Sequence, residues 1–389
     1  MKVCIVTTAF PRWPTDHLGN FILEAARAVH AQGVEVRVIG MHHPGAKTKE
    51  VLKPDIEVIR PRYMWPEAWE VLQTEGGGLP SLWKRRPLAR PVLIPFFISH
   101  TLAIMRHARD CDIIHANWTL AATAAWVGCF FHHRPFLVTV QGSDIFEATR
   151  IPFVSSITRA VLNSAFKVLA LSNSLKEATV ALGVPPEHVE IVPNGVDINK
   201  YQPPTSDRQP LIIFVGWLIE RKGVGYLVRA MTQIQHKLNQ HRLLFIGEGP
   251  LRTELSKLAA EIGIADRVQF LGQQPPEEVS KWLRRAELLV LPSLEEGLGV
   301  VLLEALASGT PCVASRVGGI QEVLSPEVGI LVEPANVNEL AQAIIDILSD
   351  RDRWMKLSRN ARALAEERFS WEVIASRLVE IYKECLGQT

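Results

Sequence analysis

Leu288-Leu289-Val290-Leu291-Pro292-Ser293-Leu294-Glu295-Glu296-Gly297-Leu298-Gly299-Val300-Val301-Leu302-Leu303-Glu304-Ala305-Leu306-Ala307-Ser308-Gly309 decides the fold of this 389-residue chain. The apolar run 288–291 reads as a buried strand that breaks at Pro292. A turn with two glycines, Gly297 and Gly299, then opens a helix from Val300 to Ala307 that stops at Gly309. Unpaired backbone N–H groups at that helix start make an anion site, and the glycines let a ligand approach the backbone closely. At 100° per residue, Glu304 lies about 80° round from Glu296 and two turns further along. One carboxylate then meets a ligand at the helix mouth, and the other meets the same ligand further down. A diphosphate, a sugar and ribose hydroxyls all fit such a cradle. From spacing alone a plainer account also stands: Glu296 complements the helix dipole and Glu304 is a solvated surface acid.

Outward from this stretch, strands and helices keep alternating. Residues 2–8 are strand-like, 17–31 form an amphipathic helix ending at Gly33, and 34–39 alternate as the next strand. Strands are expected at 112–115, 136–140 and 167–171, with helices over 119–131, 154–164 and 174–182. A polar, proline-rich passage around 201–210 reads as a linker. A second series runs through strands at 211–215, 242–246, 268–271, 288–291, 311–314 and 329–332. Such βαβ succession means parallel sheets wrapped by helices, with ligands outside the carboxyl ends of the strands. The expected α/β organisation is a domain over 1–203, a second over 204–368 and a terminal helix within 369–389.

Composition agrees with two packed domains. The chain is 47% hydrophobic and carries a net charge of +1, with a mean hydropathy of +0.10. No global field favours nucleic acid. The balance is uneven, since residues 1–203 hold 21 Lys/Arg against 17 Asp/Glu, and residues 204–389 hold 21 against 24. Five scattered cysteines without a C-x-x-C pair suit a reducing compartment. The N-terminus reads as a first strand without a cleavage site, and no apolar run is long enough to span a bilayer. The expected location is cytoplasmic.

The stretch opening at Pro292 resembles the E-x7-E signature of retaining glycosyltransferases of family 4. The match includes its surroundings, P-S-x-x-E-G at 292–297 and L-E-A-x-A-x-G-x-P at 303–311, and the likeness continues over nearly the whole chain. The resemblance implies a GT-B-like fold, with two Rossmann-like domains facing across a cleft and the terminal helix crossing back to the first. It implies a donor held mainly by the second domain. Glu296 would bind donor-sugar hydroxyls and Glu304 the ribose, with Gly297, Leu298, Gly299 and Val300 lining the diphosphate. The loop Gly216-Trp217-Leu218-Ile219-Glu220-Arg221-Lys222-Gly223 resembles G-R-x-x-x-x-K-G, whose cations hold the diphosphate. Lys222 keeps its place, whereas Trp217 stands where the family has arginine, and Arg221 is the replacement at a different spacing. Gly247, Leu271 and Gly272 would flank the nucleobase through backbone groups. Gly19 would let the first domain's loop approach the diphosphate. On residues alone, Arg221 and Lys222 also read as a solvated helix start, and Gly19 as an ordinary helix-start glycine.

On the acceptor side, Thr139-Val140-Gln141-Gly142-Ser143-Asp144 resembles T-x-H-G-S-D with Gln141 in place of the histidine. Glutamine can hydrogen-bond a hydroxyl or phosphate but cannot carry a proton near neutral pH. Asp144 would either meet the acceptor or cap the next helix. No metal or other cofactor is expected. Asp350-Arg351-Asp352 spells D-x-D but reads as a helix N-cap, and the pairs His42-His43 and His132-His133 read as surface or turn positions. Gly247-Glu248-Gly249 lacks the third glycine of a dinucleotide loop, since Arg252 stands there.

Between Glu75 and Asp110 there is no acid, while Lys84, Arg85, Arg86, Arg90, Arg106 and Arg109 are all present. This window reads either as a peripheral contact with anionic membrane or as a buried helix over 92–105 with solvated ends. The expected activity is retaining transfer of a sugar from a nucleotide diphosphate sugar to a hydroxyl on a glycan or lipid-linked acceptor, in envelope polysaccharide or glycolipid synthesis. Glu296, Lys222 and Arg221 would be its catalytic groups. The alternatives are a non-hydrolysing nucleotide-sugar epimerase and a catalytically weak nucleotide-sugar-binding partner.

Overall fold

A computed structural model describes residues 1–14, 16–72, 87–148 and 151–388. The chain divides into two compact units, one made of Met1–Asn194 with Ile374–Thr389 and the other of Gly195–Val373. In the first, the order is β1 (Lys2–Thr7), α1 (Asn20–Ala31), β2 (Glu35–Ile39), β3 (Lys49–Leu52), β4 (Ile56–Ile59), α2 (Leu93–His107), β5 (Ile113–Asn117), α3 (Thr119–His132), β6 (Phe136–Val140), α4 (Ser143–Ala148), α5 (Pro152–Ser164), β7 (Lys167–Ala170), α6 (Asn173–Ala181) and β8 (Val189–Ile191). Its sheet runs β3-β4-β2-β1-β5-β6-β7-β8, parallel except for the β3–β4 pair. Strands β5 and β6 are buried along their whole length, as expected of a sheet covered on both faces. Strands β3, β4 and β8 have no counterpart in the sequence reading, because they are only three or four residues long and β3 is a half-exposed edge.

The second unit continues with β9 (Gln209–Val215), α7 (Val224–Lys237), β10 (Arg242–Ile246), α8 (Arg252–Glu261), β11 (Val268–Gly272), α9 (Pro276–Arg285), β12 (Ala286–Leu291), α10 (Val300–Ala307), β13 (Cys312–Ser315), α11 (Ile320–Val323), β14 (Gly329–Val332), α12 (Val337–Leu348) and α13 (Arg351–Leu364). Its sheet is parallel throughout, in the order β11-β10-β9-β12-β13-β14. The strand order therefore reverses between β9 and β12, and in such sheets the crevice at that switch point is where ligands sit. The loops after β9 and β12, both singled out from the sequence, flank that point.

The division falls nine residues before the expected one, and guanidinium hydrogen bonds to backbone carbonyls account for it. The passage around 201–210 is not a free linker. Arg208 lies largely buried in the second unit and donates to the carbonyl oxygens of Leu283, Arg284, Ala286, Ser308 and Gly309 and to the Thr310 hydroxyl. Burial lowers its guanidinium to about 10, still cationic at neutral pH. Arg362 donates to the carbonyls of Ile198, Tyr201 and Ala307. The two guanidiniums bind residues 198–208 to the helices of the second unit.

Helix α14 (Trp371–Cys385) packs from Ile374 onward on the first unit, as expected. Arg377 bonds Glu190, and the Tyr382 hydroxyl bonds Nδ1 of His115 on β5 at 2.6 Å, while Nε2 of His115 meets the Thr139 hydroxyl at 2.7 Å. His42 differs from its expected surface place: it is buried and paired with Glu70, which also accepts from the backbone N–H groups of Tyr63 and Met64. Among the described residues one metal-like grouping occurs, His42, Glu67 and Glu70. Its carboxylates are already engaged by backbone N–H groups, His42 and Arg62, so it joins two loops as it stands. Asp350 caps α13, its side chain accepting from the N–H of Arg353 at 2.9 Å.

Burial lowers His100 and His115 to about 4 from an ordinary value near 6.5. Above about pH 6.5 their contribution to stability is complete. Below it the unfolded chain takes up protons that the folded chain refuses, so stability falls until about pH 4. Urea denaturation should show the protein weaker at pH 5 than at pH 7 by on the order of 1–2 kcal/mol per histidine. His100→Leu should remove about half of that difference, because neither ring nitrogen of His100 has a hydrogen-bond partner; an undiminished difference would discount His100 as a source.

Candidate active site

At the carboxyl edge of the second sheet, three loops are locked together by backbone. Gly223 caps α7 with φ of 63°, and a Cβ there would lie 1.9 Å from the Pro292 carbonyl oxygen. Gly318, with φ of 47°, would place a Cβ 1.9 Å from the Glu296 carbonyl oxygen. Only glycine meets both the conformation and the approach. The N–H of Leu294 donates to the Arg221 carbonyl at 2.8 Å and adds a third tie. The loops after β9, β12 and β13 thus hold the residues beside those glycines as neighbours.

Those neighbours are the residues singled out from sequence. Lys222 and Glu296, 74 positions apart, form an ion pair through Nζ and Oε2, both largely shielded, with the Ser293 hydroxyl donating to Oε2 at 3.4 Å. Gly299 caps α10 in the left-handed region, Val300 begins the helix, and Leu298 is buried beneath the turn. The first N–H groups of α10 have no carbonyl of their own helix to bond. Glu304, one helix face round, accepts from the Tyr201 hydroxyl at 2.9 Å. Glu304 is therefore a held carboxylate, unlike the solvated acid of the plainer account. Arg221 is exposed, with no partner for its side chain among the described residues. Trp217 is half-buried.

The neighbouring loops continue the same edge. Gly216 N–H donates to the Ile246 carbonyl, Gly247 N–H to the Gly272 carbonyl and Leu218 N–H to the Glu248 carbonyl, each at 2.8–2.9 Å. Gln274 occupies the Leu271 carbonyl at 2.9 Å, and Glu248 pairs with Arg252. Two residues here escaped the sequence reading. Tyr201 lies 103 positions from Glu304, and nothing in its surroundings signals the meeting. Gly318 belongs to a Gly318-Gly319 pair, a turn signal that was there to be read.

In the first unit, Gly19 caps α1, and its loop is fixed by Asp16, which accepts from the Arg12 side chain and from the backbone of Arg12 and Leu18. Burial pushes the Asp16 carboxyl up, but these donors hold it below the usual range. Helix α1 therefore starts at Asn20 and not at His17. Asp144 makes capping contacts: it accepts from the N–H groups of Thr119, Gln141 and Gly142 at 3.0–3.1 Å. Its burial raises the carboxyl above the ordinary value, against the pull of those N–H groups. Gln141 donates its amide to the Asn117 side chain at 3.1 Å. Lys84, Arg85 and Arg86 lie outside the described residues, while Arg90, Arg106 and Arg109 are exposed.

Residues 196–364 match the family profile described as glycosyl transferases group 1, and residues 18–200 that of glycosyltransferase family 4. An uncharacterized glycosyltransferase of Methanocaldococcus jannaschii is 35% identical over 65% of this chain and 74% of its own. A D-inositol 3-phosphate glycosyltransferase of Nocardia farcinica is 31% identical over 71% of this chain and 67% of its own. Among solved structures, sucrose-phosphate synthase from Thermosynechococcus elongatus superposes with a TM-score of 0.83 at 24% identity, covering both chains fully. Anabaena HepE, in complex with UDP and glucose, reaches 0.76 at 22% identity over 99% of this chain and all of its own.

The loop contacts give a matched test. Gly223→Ala must place its Cβ against the Pro292 carbonyl at positive φ, and should destabilise the second unit by about 2 kcal/mol or more. Gly225, two residues on inside α7, has open space where a Cβ would go, so Gly225→Ala should be neutral or stabilising by about 0.5–1 kcal/mol. Equal urea midpoints for the two variants would show that the contact is not a constraint.

Proposed function

Because this chain belongs to glycosyltransferase family 4 and has the GT-B fold, we propose that it moves a sugar from a nucleotide diphosphate sugar to a hydroxyl acceptor with retention of configuration. The observation that carries this reading is the Lys222–Glu296 pair at the switch point of the second sheet. A diphosphate laid across the mouth of α10 takes the Lys222 ammonium and the free N–H groups of the helix. Glu296, released from its partner, turns to the hydroxyls of the donor sugar. Glu304, steadied by Tyr201, accepts from the ribose hydroxyls. Arg221, exposed beside Lys222, adds a second cation where Trp217 supplies none.

The transfer step is a front-face exchange. The bond from the anomeric carbon to the β-phosphate oxygen breaks as the acceptor oxygen bonds to the same face, and the acceptor's proton passes to the departing phosphate oxygen. Negative charge grows on the diphosphate in the transition state, where preorganised cations act most strongly. No protein base is required, which suits Gln141 at the position where the family has histidine. The proposed acceptor is a glycan or lipid-linked sugar of the cell envelope, met at the cytoplasmic face of the membrane by a peripheral enzyme. No metal or cofactor enters this reading.

A thermal-shift series of nucleoside diphosphates and their sugars tests donor binding directly, since a ligand of the native state raises the melting point. Lys222→Ala should lower kcat more than it weakens donor binding, because the charge it opposes is greatest in the transition state. Arg221→Ala should behave likewise, and a raised KM with kcat intact would remove both from that role.

Glu304→Ala should weaken donor binding by roughly 1–3 kcal/mol, the usual loss for a hydrogen bond to a charged group. Calorimetry showing unchanged affinity would withdraw the ribose assignment.

A further inference from the structure

Helix α2 is apolar on the side it buries and on the side it does not. Phe96, His100, Thr101, Ala103 and Ile104 face the interior, yet Ile94, Ile98 and Leu102 are each more than half exposed. These three and Arg106 recur every fourth residue, so one outward row is apolar for three turns and cationic at its end. A helix apolar all round belongs in a covered place, and nothing in the described chain covers this side. Helix α2 packs beside α3, and α3 beside α5. Both neighbours add to the same anomaly. Phe130 and Phe131 at the end of α3, and Phe153 at the start of α5, are each more than half exposed.

Within these three helices the charge has one sign. Helices α2, α3 and α5 contain no aspartate or glutamate. Arg106, Arg109, Arg134 and Arg159 are exposed, and none forms an ion pair with a described residue. We propose that the outward face of the α2–α3–α5 layer docks on an anionic lipid bilayer, its apolar side chains entering the acyl boundary and its arginines staying at the headgroups. This deepens the peripheral-membrane reading above and is tested without donor or acceptor, so it stands or falls apart from glycosyl transfer.

An amphipathic surface of this composition lies in the interface plane, and long basic side chains reach back to the phosphates. A second copy of the chain is the poorer occupant, because an isologous pairing would set the same three acid-free, arginine-bearing helices against each other. No helix among the described residues is long and apolar enough to cross a membrane, so attachment here is from one side. The exposed apolar row also changes the expected salt response. Screening weakens the arginine contribution but leaves the apolar one, so adhesion declines with salt without vanishing.

The experiment is co-sedimentation of the full chain with phosphatidylglycerol–phosphatidylcholine vesicles and with phosphatidylcholine vesicles alone. The wild-type chain should sediment with the anionic vesicles, retain part of that binding at high salt, and bind the neutral ones less. The triple variant Ile98→Ser, Leu102→Ser, Phe153→Ser should lose roughly tenfold or more of the partition. Each single variant should lose a part of it, so a triple variant with a lowered melting point leaves the singles to decide. Val51→Ser, an exposed apolar residue on the edge strand β3, should leave it unchanged. Undiminished binding by both the triple and the single variants, or no preference for anionic vesicles, overturns the proposal. So does a wild-type dimer in light scattering that the triple variant converts to a monomer, since the face would then be an interface between copies.

Discussion

The arrangement at the second sheet depends on backbone approaching backbone at Gly223 and Gly318. A side chain at either position would drive the loop after β9 or β13 away from the loop after β12. Lys222 is next to one of these contacts, and the carbonyl of Glu296 forms the other. Their ion pair is therefore a consequence of loop packing as much as of charge. Both groups are ordered before any ligand arrives, so binding need not freeze them. A cation and an anion that satisfy each other can also both be exchanged together, the ammonium toward phosphate and the carboxylate toward hydroxyls.

The same unit is tied at its rim by two largely shielded guanidiniums. Arg208 gathers carbonyls from the ends of α9 and α10, and Arg362 gathers carbonyls from residues 198–201 and from α10. Orphan carbonyls at helix ends need donors, and a planar fork with five N–H groups supplies several at once. This is why a passage rich in proline and polar residues packs as part of a domain. Its local composition announces a turn, whereas its anchoring comes from an arginine within it and another 161 residues beyond Tyr201. Through that anchoring Tyr201 reaches Glu304.

What the sequence made legible follows from where the signals are local. The parallel sheets, the α10 turn and the N-cap at Asp350 all rest on residues within one or two turns of each other, and each was readable from periodicity, glycine placement or capping chemistry. The Lys222 and Glu296 loops were legible as strand-to-helix turns, and only the sheet order put them side by side. The edge hairpin β3–β4 was not legible, because four-residue strands with charged positions carry little alternation. Nor was His42, whose buried partner Glu70 stands 28 positions away. The row along α2 shows a different limit. An apolar run fixes that a segment wants to leave water, but not whether protein or something else removes it from water.

The first unit's polar residues at the carboxyl edge of its sheet are already spent on one another. Asp144 caps two helix starts, Gln141 is bonded to Asn117, and His115 has both ring nitrogens engaged. Burial lowers His115 to about 4, so it is neutral under ordinary conditions and placed to hold β5 to α14. A group that serves as general base must combine a suitable pKa with access to the proton it takes. His115, buried and lowered to about 4, lacks both, and Gln141 has no titratable group. On the proposed front-face path that is the expected condition, since the departing phosphate oxygen is itself the base and the cations at Lys222 and Arg221 govern how basic it becomes. On that proposal the side chains of the first unit would have a positioning task, and the charged chemistry would be concentrated at the loops that the two glycines bring together.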